Sequence, residues 1–250
     1  EGLAGVVRDA IVPGVWAYEA GQAGVGDMFG WFVRNSVPAS YTERARELGL
    51  DVFGYLESLA GSVEPGRNPV LALDWWSGNR SPLADSALSG AVIGYSLATR
   101  PENVYRALLE AAAFGQRAII DTFQGAGIAV DDIVACGGLP QKSPLFMQLL
   151  ADITGREIQV SHSSQAGALG AAIHAAVAAG PEAGGFASLG EAGNALGGNR
   201  SDVYSPDPTA TAAYESSYAD YQELVTYFGS QNVGVMHRLK RRASDGIAAS

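Results

Sequence analysis

Apolar residues along the chain follow two different periods. Short unbroken blocks occur at Val70-Leu71-Ala72-Leu73, at Ala91-Val92-Ile93-Gly94-Tyr95 and at Ile133-Val134-Ala135. A further block, Glu157-Ile158-Gln159-Val160, alternates. Blocks of this length predict strands. Val6-Val7 and Ile11-Val12 are short enough to be strands or loop. Elsewhere the apolar positions recur three or four apart, the spacing of one helix face. Phe53, Leu56 and Leu59-Ala60 mark an amphipathic helix or pair of helices over 40–60. Val104, Leu108, Ala111, Gly115 and Ile119 form the stripe of a long helix, and their small side chains predict close packing on a sheet. Tyr214, Tyr218, Tyr221, Leu224, Val225 and Phe228 predict a last helix that starts near Thr209 and docks on the rest.

Capping and breaking residues bound these segments. Thr99-Arg100-Pro101-Glu102 has the form of a capping box at the start of the long helix, and Gly125-Ala126-Gly127 ends it. Ser143-Pro144 reads as N-cap and first helical residue of a helix that stops near Gly155. Ser163 or Ser164 caps a small-residue helix, Ala166 to Ala179, closed by Gly180-Pro181. The order over 68–180 is strand, strand, long helix, strand, helix, strand, helix. That order predicts an α/β fold, a mixed sheet layered with helices, with helical segments flanking it at 1–60 and 205–242. Residues 181–209 carry Gly, Asn and Pro and read as loop. The basic run His237-Arg238-Leu239-Lys240-Arg241-Arg242 reads as a solvated helix end or a tag-like tail.

Composition narrows the function. A hydrophobic fraction of 47% over 250 residues suffices for one substantial core or two small ones. The formal charge of −10 argues against a general nucleic-acid role. An anionic small molecule remains compatible, because backbone dipoles and one or two cations can hold it locally. The single cysteine, Cys136, excludes a disulfide framework and fits a reducing, cytoplasmic setting. There is no run of about 18 apolar residues and no signal-peptide plan, so no membrane span is predicted. The abrupt opening Glu1-Gly2-Leu3-Ala4 reads as the interior of a longer protein.

Candidate chemistry is sparse. His162, His174 and His237 are scattered, no Cys pair exists, and neither a phosphate-binding Gly-x-x-x-x-Gly-Lys loop nor a Gly-x-Ser-x-Gly elbow is present. No general base stands out, and no metal ligands are predicted. What remains is glycine turns after strands, at Gly137-Gly138 and around 21–26, and a polar helix start at Ser143. Such turns are either tight connections and nothing more, or a nucleotide cradle made mostly of backbone.

Several stretches together resemble the FGGY family of carbohydrate kinases. They are Pro13-Gly14-Val15-Trp16 with Glu19-Ala20-Gly21-Gln22 and Gly26-Asp27; Gly78-Asn79-Arg80-Ser81-Pro82-Leu83-Ala84-Asp85; Gly137-Gly138-Leu139-Pro140-Gln141-Lys142-Ser143-Pro144 with Met147-Gln148, Ala151-Asp152 and Gly155-Arg156; and Ser164-Gln165-Ala166 with Ala168-Leu169-Gly170-Ala171-Ala172. The family's C-terminal signature lies imperfectly over Gly90 to Glu110, with Tyr95 and Leu108 where other types are usual. The resemblance covers nearly the whole chain. It implies two ribonuclease-H-like domains of the actin and hexokinase type, of which residues 1–250 form the second, ATP-binding one.

The same resemblance implies phosphorylation of a ketopentose by ATP with Mg²⁺, with L-ribulose giving L-ribulose 5-phosphate in arabinose catabolism. Xylulose in its place, or a non-catalytic nucleotide-binding module, are the alternatives. It puts Gly137 and Gly138 against the nucleotide, has Gly26 let a helix start pass close to it, and gives Glu19 a place in the sugar site. Position 143, often Asn in relatives, is Ser143 here and lacks the amide that reaches adenine. The catalytic Asp, the metal ligands and most of the sugar site are expected in an N-terminal domain upstream. That domain, ATP or ADP and the sugar are the implied partners, and a homodimer is compatible with the family.

Overall fold

The computed structural model describes residues 2–197 and 200–248. A hairpin comes first. β1 (Gly5–Arg8) pairs antiparallel with β2 (Trp16–Glu19) in the register Val6 to Tyr18. Three helices follow: α1 (Val25–Ser36), α2 (Ala39–Glu47) and α3 (Val52–Ala60). The amphipathic stretch expected over 40–60 is thus two helices. Gly49, at φ 71, turns the chain between them, and the Asp51 carboxylate caps α3 by accepting the Gly54 N–H at 2.7 Å.

β3 (Leu71–Leu73) and β4 (Ala91–Ile93) form an antiparallel pair. α4 (Pro101–Gly125) then leads to β5 (Ile133–Ala135), α5 (Gly138–Lys142), α6 (Pro144–Thr154), β6 (Ile158–Ser161) and α7 (Ala166–Ala179). A 3₁₀ turn precedes α8 (Leu189–Leu196), β7 (Arg200–Tyr204) and α9 (Pro208–Thr226). A π-helical turn at Tyr227–Gln231 joins α9 to α10 (Val233–Ala248). The mixed sheet expected of the core has three strands: β5 and β6 are parallel, β6 and β7 antiparallel. β3 and β4 stand apart from it. Contacts run from β3 to α4, from α4 to α6 and from α6 to β6, so the two helices bridge the sheets.

α4 is the centre of the molecule. Every residue from Val104 to Gly115 is buried, which places the helix inside rather than on the surface. Ala107, Ala111, Ala112 and Ala113 leave room for α3, α6, α9 and β3 to close around it. Two charges go inside with it. Arg106 Nε donates to Glu110 at 2.7 Å, Arg106 Nη1 to the Ala60 carbonyl at 2.9 Å, and the other guanidinium nitrogen to the Tyr214 hydroxyl. A buried pair survives only when its remaining donors and acceptors are met in this way. α9 docks through its tyrosines, as the periodicity predicts. Tyr214, Tyr218 and Tyr221 place their ring centroids 6.2, 5.8 and 5.4 Å from that of Phe114.

Asp74, just past β3, ties four segments together. Gln22, in the loop before α1, donates to Asp74 Oδ2 at 2.7 Å and to the Ala112 carbonyl at 2.9 Å, and the Tyr221 hydroxyl donates to Asp74 Oδ1 at 3.2 Å. Burial pushes the Asp74 carboxyl up to about 6, against the pull of these donors.

Three local expectations change. The N-cap of α4 is Arg100, not Thr99: Pro101 takes the first helical position, and the Asn103 side chain accepts the Arg100 N–H at 3.0 Å. Glu102 instead accepts the Tyr41 hydroxyl at 2.6 Å. α7 is capped at Gln165, whose N–H bonds the Ser163 hydroxyl at 3.2 Å. The stretch 181–209 is not loop throughout: it holds α8 and β7. The Ser188 hydroxyl accepts the Glu191 N–H at 3.2 Å, and the Glu191 carboxylate accepts the Ala187 N–H at 3.1 Å. The basic run is helical and largely solvated, as one of its two readings expects: Arg238, Arg241 and Arg242 of α10 are exposed, and one side docks. Met236 is buried, and His237 Nε2 lies 2.6 Å from the Asp85 carboxylate.

Candidate functional site

Four segments meet around a cleft of about 910 Å³: the first turns of α1, the turn from α2 into α3 with α3 itself, Tyr105 of α4, and the stretch from Gly138 to Ser143. This is the size of a pocket that encloses a small molecule. The sequence builds each wall for a separate reason. Gly24, at φ 72, caps α1 in a conformation that glycine adopts without strain, so the helix starts abruptly and Gly26 lies in its first turn. β5 ends at Gly137, whose φ of 96 again favours glycine, and the chain turns at once into α5. The stretch between the glycine turn and Ser143 is this single short helix. Ser143 then caps α6, its Oγ accepting the Phe146 N–H at 3.2 Å, with Pro144 at the first helical position as expected.

The glycines present bare backbone. A Cβ added at Gly26, Gly137 or Gly138 would meet nothing within 4 Å, so none of the three is glycine for want of space inside the protein. Aromatic rings make the inner wall. Phe29 packs edge-on against Tyr105 and against Phe146, each at 6.1 Å between centroids. Leu50 and Phe53, both exposed, stand at the rim. Lys142 is the one cation among the lining residues.

Two carboxylates also face the cleft. Asp51 is committed to the cap of α3. Glu57, half-buried on α3, lines the cleft as Ser143 does, and burial raises its carboxyl above the ordinary value, with the Asp51 charge adding to the rise. Ser143 itself is only 3% exposed.

The sequence-derived site residues divide. Gly26, Gly138 and Ser143 line the one cleft, although they lie far apart in the chain. Gly137 adjoins it through Gly138. Glu19 does not belong to it: it is exposed on β2 and forms an ion pair with Arg80. Glu57, Asp51 and Tyr105 are cleft residues that the sequence did not single out. Asp51 carries a usable signal, an Asp just before the α3 apolar stripe. Glu57 carries none, because it falls beside Leu56 within a stripe that sequence alone reads as helix packing.

The fold is the one that solved carbohydrate kinases share. The chain belongs to the FGGY family of carbohydrate kinases: that family's C-terminal domain matches residues 1–179. A ribulokinase from Anoxybacillus flavithermus is 52% identical over 240 residues, which are 96% of this chain and 43% of that protein. The chain therefore spans less than half the length of such relatives. Among solved structures, the xylulose kinase of Rhodospirillum rubrum matches with a TM-score of 0.65 at 24% identity, covering 86% of this chain and 40% of that one. Glycerol kinase of Plasmodium falciparum, solved with ADP, matches with a TM-score of 0.63 at 23% identity, covering 83% of this chain and 38% of that one. No helix among the described residues is long and apolar enough to cross a membrane.

Proposed function

We propose that this chain is the nucleotide-holding part of a kinase that moves the γ-phosphoryl group of ATP onto a ketopentose hydroxyl, with L-ribulose as the sugar. The observation that carries the reading is the convergence of Gly26, Gly138 and Ser143 on one cleft. Identity of 52% to a ribulokinase supports the choice of sugar.

The residues divide the work by chemistry. Bare backbone at Gly26, Gly137 and Gly138 lets a phosphate chain lie close to N–H groups, and Lys142 supplies a positive charge. The apolar rim at Leu50 and Phe53 suits the flat face of a base. Phosphoryl transfer depends mainly on positioning and on stabilising charge, and this cleft contributes the positioning. Among the described residues, no three His, Cys, Asp or Glu side chains come together as a metal site. The Mg²⁺ that such kinases use with ATP therefore finds no ready ligand set here, and no step is assigned to this chain through it. The base that takes the sugar's proton is assigned to the N-terminal domain, as are most sugar contacts. Glu19, paired with Arg80, is the candidate contribution from this side.

Two measurements on the chain test the reading. Calorimetry is expected to show weak, saturable ADP binding. Assays with ATP, Mg²⁺ and L-ribulose are expected to show no sugar-dependent ADP release. Turnover by residues 1–250 alone would contradict the assignment of the base to another domain, and absence of ADP binding would contradict the nucleotide reading itself.

A further inference from the structure

One residue of the motif before α1 has no task in the nucleotide reading. Gln22 lies half-buried in the loop between β2 and α1 and does not line the cleft. Its side-chain amide is nevertheless fully engaged. Nε2 donates to Asp74 Oδ2 at 2.7 Å and to the Ala112 carbonyl at 2.9 Å, and Oε1 accepts from Gln116 Nε2. Both amide protons and the carbonyl oxygen are thus committed to groups beside or within α4. Gly115 leaves the room for this: a Cβ there would lie 2.1 Å from Gln22 Nε2.

The loop that Gln22 anchors carries the start of α1. Gly24 caps the helix, and the Met28 N–H donates to the Gly24 carbonyl at 2.9 Å, so Gly26 is held between them. Met28 and Phe29 are buried. Their packing decides which face of α1 turns inward, but apolar contact is non-directional and lets a helix slide along its axis. Hydrogen bonds are directional and weaken steeply when misaligned. The Gly21 N–H adds a longer tie, to Ser81 Oγ at 3.3 Å. The bonds of Gln22 therefore set the first turn of α1 against α4. α6, which follows the Gly138 edge, packs on α4 as well.

We infer that Gln22 is a positioning residue for the nucleotide: by bonding Asp74 and α4 it fixes Gly26 relative to the Gly138 edge of the cleft. This role rests on the nucleotide reading above. It makes ADP affinity depend on a side chain outside the cleft.

The test is calorimetry with ADP on residues 1–250. Gln22→Leu keeps most of the bulk and removes all three bonds, so it is expected to weaken ADP binding about tenfold or more. Gly115→Ala disturbs the same bonds without altering Gln22. Its methyl meets the movable end of that side chain, and alanine favours a helix, so this variant is expected to fold and to weaken ADP by about the same factor. Asp74→Asn keeps a carbonyl oxygen for Gln22 and is expected to hold ADP affinity within about threefold of the unaltered chain. Circular dichroism melts establish that each titrated protein is folded, and where Gln22→Leu is not, Gly115→Ala decides alone. A lower melting temperature with ADP affinity within about threefold, in either of the first two variants, would show a role confined to stability and overturn the inference. A loss of about tenfold in Asp74→Asn would overturn it too, since the bond to Gln22 would then not be what matters. In both cases the nucleotide site stands. Failure of the unaltered chain to bind ADP would remove the site and the inference together.

Discussion

At the scale of single residues, Asp74 makes the sharpest statement about stability. Its carboxyl is buried and titrates near 6 in the folded chain, against an ordinary value of 3.8. Between those values the folded protein holds a proton that the unfolded chain has released. Its contribution to stability is therefore complete below about pH 4 and is lost as pH rises through 6, a change of about 3 kcal/mol. Asp74→Asn is expected to remove this component. The melting temperature of Asp74→Asn relative to the unaltered protein should rise between pH 4.5 and pH 7, and a constant offset at both pH values would show that Asp74 is not the group titrating. Nothing in the sequence marks Asp74. It falls in a Trp-, Gly- and Asn-bearing stretch that reads as loop, and only the docking of Tyr221 and Gln22 puts it inside. Ser143 is the opposite case. Its place before Pro144 identifies it as a cap without any structure, but its place in the cleft opposite Glu57 requires α3 to be brought across.

At the scale of elements, α4 decides how the domain holds together. Its stripe of small residues is legible in the sequence. Its burial on all sides is not, because the charges of Arg106 and Glu110 lie inside only where Tyr214 and the Ala60 carbonyl enclose them. Glu110→Gln leaves the Arg106 charge uncompensated in the interior and is expected to cost about 3 kcal/mol or more, read as a fall in the chemical-denaturation midpoint with an unchanged slope. A loss under about 0.5 kcal/mol, the usual size at a surface position, would mean the pair is solvated. The remaining differences between sequence and structure are also of element scale. Pro101 moved the α4 cap by one residue, since proline belongs just inside a helix. α8 and β7 were hidden by the glycines and asparagines around them, although Ser188 and Glu191 carry capping chemistry in plain view.

At the scale of the whole molecule, the family and its α/β layering followed from motifs spread over the chain, and the cleft gives those motifs a common purpose. Gly26 and Gly138 lie more than a hundred residues apart and meet at one opening. Periodicity could not have joined them, because that meeting depends on α1 and α6 both packing on α4. Glu19, expected in the sugar site, lies outside this cleft and is paired with Arg80.

The central claim is that the glycine edge of the cleft holds a nucleotide, and Gly138→Val tests it most directly. The added side chain has open space around it, and valine is no worse than glycine in a helix, so folding stability should stay within about 1 kcal/mol. Calorimetric titration with ADP should then show affinity reduced by about tenfold or more relative to the unaltered chain, since the valine occupies the approach to the backbone. Equal ADP affinity in the two folded proteins would contradict the account.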